Sequence, residues 1–255
     1  MFTRRRVALF GLLAGLVGAA CSPTAKAPPE PVTVFAAASL TDALGEIATA
    51  YERTSGQPVR LSFGASGAVA RQIQSGAPAD LVILADPKWM DRLQDADLLT
   101  PGSRVDLLSN HLVLIAASDA QTGADPFDWL SKTDGKLVVG DPDSVPAGTY
   151  ARTWLQKTGR WQGLRSRIVT AADVRAVRTF VERGEAGMGV VSRSDTVGVP
   201  TVKIVGEPTA SDQPAILYPA ATTRSGAAGA QGFMAFLRGP EAKRIFAASG
   251  FEPVP

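Results

Sequence analysis

The chain has 255 residues, with 26 basic against 24 acidic side chains, one histidine and one cysteine. Three of the basic groups, Arg4, Arg5 and Arg6, precede residue 21, and the remainder carries 23 basic and 24 acidic groups. No basic run or aromatic-basic patch survives in that remainder, which excludes an electrostatic nucleic-acid footprint. A lone cysteine excludes an internal disulfide.

The three arginines lead into an uncharged apolar run over residues 7–20. That run is shorter than the roughly 18 residues of a spanning helix and reads as a secretory signal over residues 1–20. A retained N-terminal anchor is the alternative. Cys21 follows Gly18-Ala19-Ala20 directly, in an arrangement that resembles a bacterial lipoprotein signal, whose cysteine becomes acylated. Ordinary cleavage after Ala20 is the plainer reading. Residues 21–31 are proline-rich and aperiodic, as expected of an extended tether.

From Val32 onward, β-rich runs alternate with helical patterns, which predicts an α/β fold with mainly parallel sheets. Strands are expected at 32–36, 59–63, 81–85, 112–117, 136–140, 167–170, 188–191, 202–205 and 215–219. Leu40, Leu44, Ile47 and Tyr51 recur at helical spacing, with Gly56 beyond the end. Val69 and Ile73 mark a short helix closed by Gly76. Further helices are expected at 150–158, 174–182, 227–237 and 240–248. Segments 112–117 and 215–221 are the candidate crossovers between two lobes.

Two strand-to-helix turns share a design. Ser39 follows Ala36-Ala37-Ala38, and Ser66 follows Gly64-Ala65; each stands at a helix start among small residues. Helix starts leave backbone N–H groups without intrahelical partners, and the peptide dipoles favour negative charge there. Small neighbours let an anion approach, and two such ends could converge on one anion. The alternative is that both serines are plain N-caps, with Ser39 and Asp42 at capping-box spacing. The turns around Ala147-Gly148 and Asp173-Val174 offer the same combination of free N–H groups and little bulk.

Catalytic readings are weaker. The run Gly64-Ala65-Ser66-Gly67 falls one residue short of a G-x-S-x-G nucleophile elbow. A serine hydrolase using Ser66 would also need a base, and His111 is the only histidine. The sequence contains no P-loop, dinucleotide fingerprint or Cys/His metal cluster, and no cofactor is expected. The tyrosines Tyr51, Tyr150 and Tyr218 do not suggest a ferric site.

The run Val34 to Leu44 (VFAAASLTDAL) resembles the first strand and helix of the molybdate-binding proteins of ABC importers. So do Ala70 to Asp80 (ARQIQSGAPAD), Ala85 to Asp91 (ADPKWMD), Gly140 to Gly148 (GDPDSVPAG), Ala172 to Arg175 (ADVR) and Gly239 to Ala242 (GPEA). The similarity runs in order from about Val32 to Phe251. It implies a two-lobed periplasmic-binding-protein (type II) fold, with one lobe from residues 32–111 plus 218–255 and the other from 112–217. It implies capture of molybdate or tungstate outside the cytoplasmic membrane and delivery to an ABC permease and its ATPase, by a monomer tethered through Cys21.

Carried over residue by residue, Ser39 and Ser66 would donate hydroxyl and backbone N–H groups, and Ala147 and Val174 backbone N–H groups. The family's fifth contact is a tyrosine hydroxyl at a strand end; Ser192 stands there in this chain. A serine reaches several ångströms less far, so Ser192 is expected to act through water, to draw its strand inward, or to contribute nothing. Arg193 could instead lend charge from the rim. The competing readings are a sulfate or other tetrahedral oxyanion receptor, a serine hydrolase, and a surface protein whose serines only cap helices.

Overall fold

A computed structural model describes residues 29–133, 135–226 and 229–254. The expected signal at 1–20, the lipidation site Cys21 and most of the 21–31 tether lie outside the described residues. In chain order the first elements are β1 (Val32–Ala37), α1 (Thr41–Ser55), β2 (Val59–Gly64), α2 (Ser66–Gln74), β3 (Leu81–Ile83), α3 (Pro87–Asp95) and β4 (Val105–Asn110). Next come β5 (Leu112–Ala117), α4 (Pro126–Ser131), β6 (Leu137–Gly140), α5 (Pro146–Lys157), α6 (Trp161–Leu164) and β7 (Ile168–Ala171). The chain closes with α7 (Val174–Glu182), β8 (Met188–Ser192), β9 (Val202–Gly206), β10 (Ile216–Thr222), α8 (Gly229–Leu237) and α9 (Pro240–Ala248).

Two five-stranded sheets result, in the orders β2-β1-β3-β10-β4 and β7-β6-β8-β5-β9. Both are mixed. Strands joined through helices are parallel, β1 with β2 and β3, and β6 with β7 and β8. Strands β10 and β5, which follow or enter a crossing, pair antiparallel on both sides. The antiparallel share is therefore larger than the hydrophobic runs suggest, because a buried crossover strand is as apolar as a parallel one.

Each sheet is covered on both faces. In the first, Val69, Ile73, Trp89 and Met90 of α2 and α3 pack with Val82 on one side. Leu44, Ile47, Phe233 and Phe246 of α1, α8 and α9 cover the other. Helix α1 buries Leu44, Ile47 and Tyr51 at the expected spacing and ends at Gly56, whose φ of 71° is the left-handed stop that glycine tolerates. In the second sheet, Val177 and Val181 of α7 pack on Val113 and Val138, opposite the α5 residues Ala151, Trp154 and Leu155.

The chain passes between sheets at His111, which separates β4 from β5, and again between β9 and β10. The two crossings are tied together. Gln213 accepts from the Leu112 N–H through Oε1 (3.0 Å) and reaches His111 Nδ1 through Nε2 (2.7 Å). The other His111 nitrogen lies 2.8 Å from Glu252. Among the described residues, no helix is long and apolar enough to cross a membrane.

Candidate anion-binding site

Four strand-to-helix turns face one chamber between the sheets. Ser39 sits in a short 3-10 turn between β1 and α1, Ser66 opens α2, Ala147 is the second residue of α5, and Val174 opens α7. Ser192, at the end of β8, completes the wall, and all five line the same cavity. The room for the centre of a water-sized sphere is about 20 Å³, where one water needs roughly 10–15 Å³. The chamber as it stands suits one compact solute.

On the first-lobe side, neither serine caps its helix. The Ser66 hydroxyl accepts from the Ala85 N–H at 2.9 Å, and the Ser39 hydroxyl lies 2.9 Å from the phenol of Tyr218. The capping box expected of Ser39 and Asp42 is not formed; the Asp42 carboxylate accepts instead from Arg175 at 2.7 Å. The first N–H groups of these turns have no partner within the helix; that of Gly67 donates across to the Ser144 carbonyl, which leaves those of the serines facing the chamber. Ala37, Ala38, Gly64 and Ala65 line the walls and leave the approach open.

On the second-lobe side the donors are backbone. The loop before α5 is drawn tight by Val145 N–H on the Asp141 carbonyl (2.7 Å) and by the Ser144 hydroxyl on the Asp141 carboxylate (2.9 Å). Pro146 then fixes the first helical φ, which places the free N–H of Ala147 at the wall. Gly148 lies so close to β6 that a Cβ would stand 2.0 Å from the Gly140 carbonyl oxygen. At α7 the Asp173 carboxylate accepts from the Ala176 N–H at 2.9 Å, which occupies the charge and leaves the N–H of Val174 to the chamber.

Ser192 lines the chamber and is held from two sides. Its N–H donates to Asp195 at 3.1 Å, and its side chain approaches the Tyr218 phenol. Arg193 corrects the expectation of rim charge: its guanidinium pairs with Glu207 at 2.6 Å, and its N–H donates to the His111 carbonyl. Sequence reasoning missed Tyr218 and Tyr150, which both line the chamber. Burial pushes both phenols well above the usual tyrosine range, so each is a neutral hydroxyl; Ser39 partly offsets the shift at Tyr218. The signal available in sequence was the pair Tyr218-Pro219 in an otherwise aliphatic strand, since a buried phenol needs a polar partner.

The lobes also touch around the chamber. Gly67 N–H donates to the Ser144 carbonyl at 3.0 Å, and the Tyr150 hydroxyl to the Ala85 carbonyl at 3.4 Å. Arg175 of α7 spans to Asp42 and to the Ala38 carbonyl (3.3 Å), with the buried Asp195 carboxylate 3.3 Å away. These contacts occupy the nearby carbonyl acceptors of Ala38, Ala85 and Ser144, so the walls present mainly donors. No lysine, arginine or histidine is among the lining residues. His111 is engaged with Gln213 and Glu252, while Ser66 is engaged with Ala85. No cluster of three or more potential metal-ligating side chains occurs among the described residues.

A two-lobed α/β body around a small chamber walled by helix starts is the architecture of a solute-binding protein. The chain belongs to that class by sequence as well: residues 32–252 match the family described as bacterial extracellular solute-binding protein. It is 42% identical over 226 residues to the molybdate-binding protein ModA of Escherichia coli strain K12, a match covering 86% of this chain and 88% of that one. It is 32% identical to a putative ABC transporter substrate-binding lipoprotein, YvgL, of Bacillus subtilis, over 98% and 99% of the two chains. The solved periplasmic molybdate-binding protein of Azotobacter vinelandii superposes with a TM-score of 0.79 at 27% identity, covering 88% of this chain and 99% of that one.

Proposed function

We propose that this protein captures molybdate, or tungstate, outside the cytoplasmic membrane and delivers it to an ABC permease and its ATPase. The observation that carries the reading is the convergence of four helix starts on one small chamber without a cationic side chain. A dianion stripped of water must have its oxygens saturated with donors, or burial costs too much. Fixed N–H and O–H groups from Ser39, Ser66, Ala147 and Val174 meet that need through charge-assisted bonds. Ser192 contributes to the same wall. Rigid donors also impose a cavity size, and sulfate is smaller than molybdate. Protonated phosphate needs an acceptor, which walls of this kind supply poorly. No catalytic step and no cofactor are part of the reading.

In this reading the lobes, residues 32–111 plus 218–255 and residues 112–217, close over the anion by bending at the two crossings. The protein works as a monomer, and Cys21 carries the lipid that holds the tether at the membrane. Similarity to a lipoprotein over nearly the whole chain supports that anchor.

Thermal melting of the folded body with molybdate, tungstate, sulfate and phosphate tests the proposal. The preferred anion at 100 times its Kd should stabilise by about 2.7 kcal/mol. A larger shift with sulfate would replace molybdate as ligand, and no shift with any of the four would refute the transport reading.

A further inference from the structure

Of the two phenols in the chamber wall, that of Tyr150 donates to the Ala85 carbonyl, and that of Tyr218 has no part in the reading above. Its side chain is fully buried, its oxygen lies 2.9 Å from Ser39 Oγ, and it forms part of the chamber wall. Hydrogen-bond accounting around Asn110 fixes which way this phenol works. Asn110 Oδ1 accepts from the His111 N–H at 2.8 Å, so its Nδ2 points the other way, to Ser194 Oγ at 3.0 Å and to the Tyr218 oxygen at 3.3 Å. An amide NH₂ can only donate. The Tyr218 oxygen is therefore the acceptor in that contact, and its single proton is left for Ser39, for the neighbouring Ser192 hydroxyl or for the chamber.

Two arrangements satisfy the pair. Either Tyr218 donates to Ser39 Oγ and the serine proton turns into the chamber, or Ser39 donates to Tyr218 and the phenol proton does. In both, one hydroxyl proton of the couple is left over, which an anion that can only accept draws into the chamber, and the amide of Asn110 holds that polarity in place. The phenol enters from β10, and the Ser192 side chain at the end of β8 lies against it.

We infer that Tyr218 and Ser39 form a donor couple at the oxyanion site, polarised by Asn110, in which the Tyr218 phenol contacts the anion from the first lobe. This rests on the oxyanion reading and adds a residue to it. Asn110 is the positioning residue. It stands at the end of β4, one residue before the crossing, so the couple's orientation is set where the lobes join.

Calorimetric titration of molybdate into the wild type, Tyr218→Phe, Ser39→Ala and the double variant tests the inference. Tyr218→Phe removes one oxygen atom and keeps the ring. It should weaken binding by about 10- to 100-fold, the range of one hydrogen bond to a charged partner. Because the two hydroxyls act as a couple, the double variant should lose less than the product of the single losses.

A second readout does not depend on affinity. Molybdate should change the tyrosine ultraviolet difference spectrum, and that change should vanish in Tyr218→Phe while persisting in Tyr150→Phe. Binding by Tyr218→Phe within twofold of the wild type, or losses that multiply, would overturn the inference while leaving the oxyanion reading intact. A wild type that binds none of the four anions would overturn both.

Discussion

The two walls of the chamber solve the same problem with different groups. The first-lobe wall uses side-chain hydroxyls that are braced from behind, Ser66 by the Ala85 N–H and Ser39 by Tyr218 and, through it, Asn110. The second-lobe wall uses backbone N–H groups at Ala147 and Val174, whose own side chains are apolar. The first wall can be dismantled one hydroxyl at a time. Apart from the hydroxyls of Ser192 and Tyr150, the second has no polar side chain to delete, and the N–H groups of Ala147 and Val174 face the chamber only while the turns before α5 and α7 keep their shape. Side-chain substitutions therefore probe the first lobe, and backbone packing probes the second.

The largest expected effect belongs to the second wall. Gly148→Ala would place a Cβ 2.0 Å from the Gly140 carbonyl oxygen, a rigid backbone atom that cannot step aside. The start of α5 would have to move, and with it the Ala147 N–H. We expect binding to be lost in titration, and a stability loss of about 3 kcal/mol or more, at the upper end for overpacking. A variant that binds normally would show that the position of the α5 turn is not what holds the solute.

The first wall should give smaller and separable effects. Ser66→Ala removes the acceptor of a buried N–H at Ala85, which costs about 1–3 kcal/mol of stability in the ligand-free protein. Ser39→Ala strands no backbone donor, since its partners are hydroxyls that can turn. Both should weaken oxyanion binding by about 10- to 100-fold, but only Ser66→Ala should lower the ligand-free melting temperature. Equal melting temperatures would erase the distinction between the two braces.

Much of this asymmetry was legible in the sequence, and the illegible part has a physical cause. Ser39 and Ser66 stand out because glycine and alanine flank them at helix starts, a local pattern. Ala147 and Val174 follow from the order of motifs along the chain. Tyr218 does not, because its partners Ser39 and Asn110 lie 179 and 108 residues away, and only pairing of β10 with β3 and β4 brings them together. Strand β4 escaped notice because Val105–Asn110 carries Asp106, Ser109 and Asn110 among its apolar positions. Helices α4 and α6 are only six and four residues long, too short for periodicity to declare them, and α3 buries only Trp89, Met90 and Leu93, although Asp86-Pro87 and Asp125-Pro126 are cap-and-proline starts.

The smallest expected effects on binding concern the contacts that join the walls, where Arg175 reaches Asp42, the Ala38 carbonyl and the buried Asp195. Burial pushes the Asp195 carboxyl up to about 6, against the pull of Arg175, the Ser192 N–H and Arg178, and with repulsion from Asp42. In the unfolded chain an aspartate titrates near 3.9. The folded state thus holds this proton more tightly, so the contribution is full below about pH 4 and is lost as pH rises through about 6. The loss is about 3 kcal/mol.

Asp195→Asn abolishes that titration. Chemical denaturation at a series of pH values should show the wild type losing stability relative to the variant between pH 4 and 7. Parallel profiles would mean that the arginines, not burial, set this carboxyl. Its ionised form is also the one that holds Arg175 most strongly against the start of α1. Wild-type oxyanion affinity should accordingly change little above pH 7, where the contact is complete, and soften by a few-fold toward pH 5 as Asp195 takes up its proton. Asp195→Asn should be flat over the same range. If both proteins soften equally toward pH 5, the effect lies in the anion's own protonation and not in the Arg175 contact that joins the two walls.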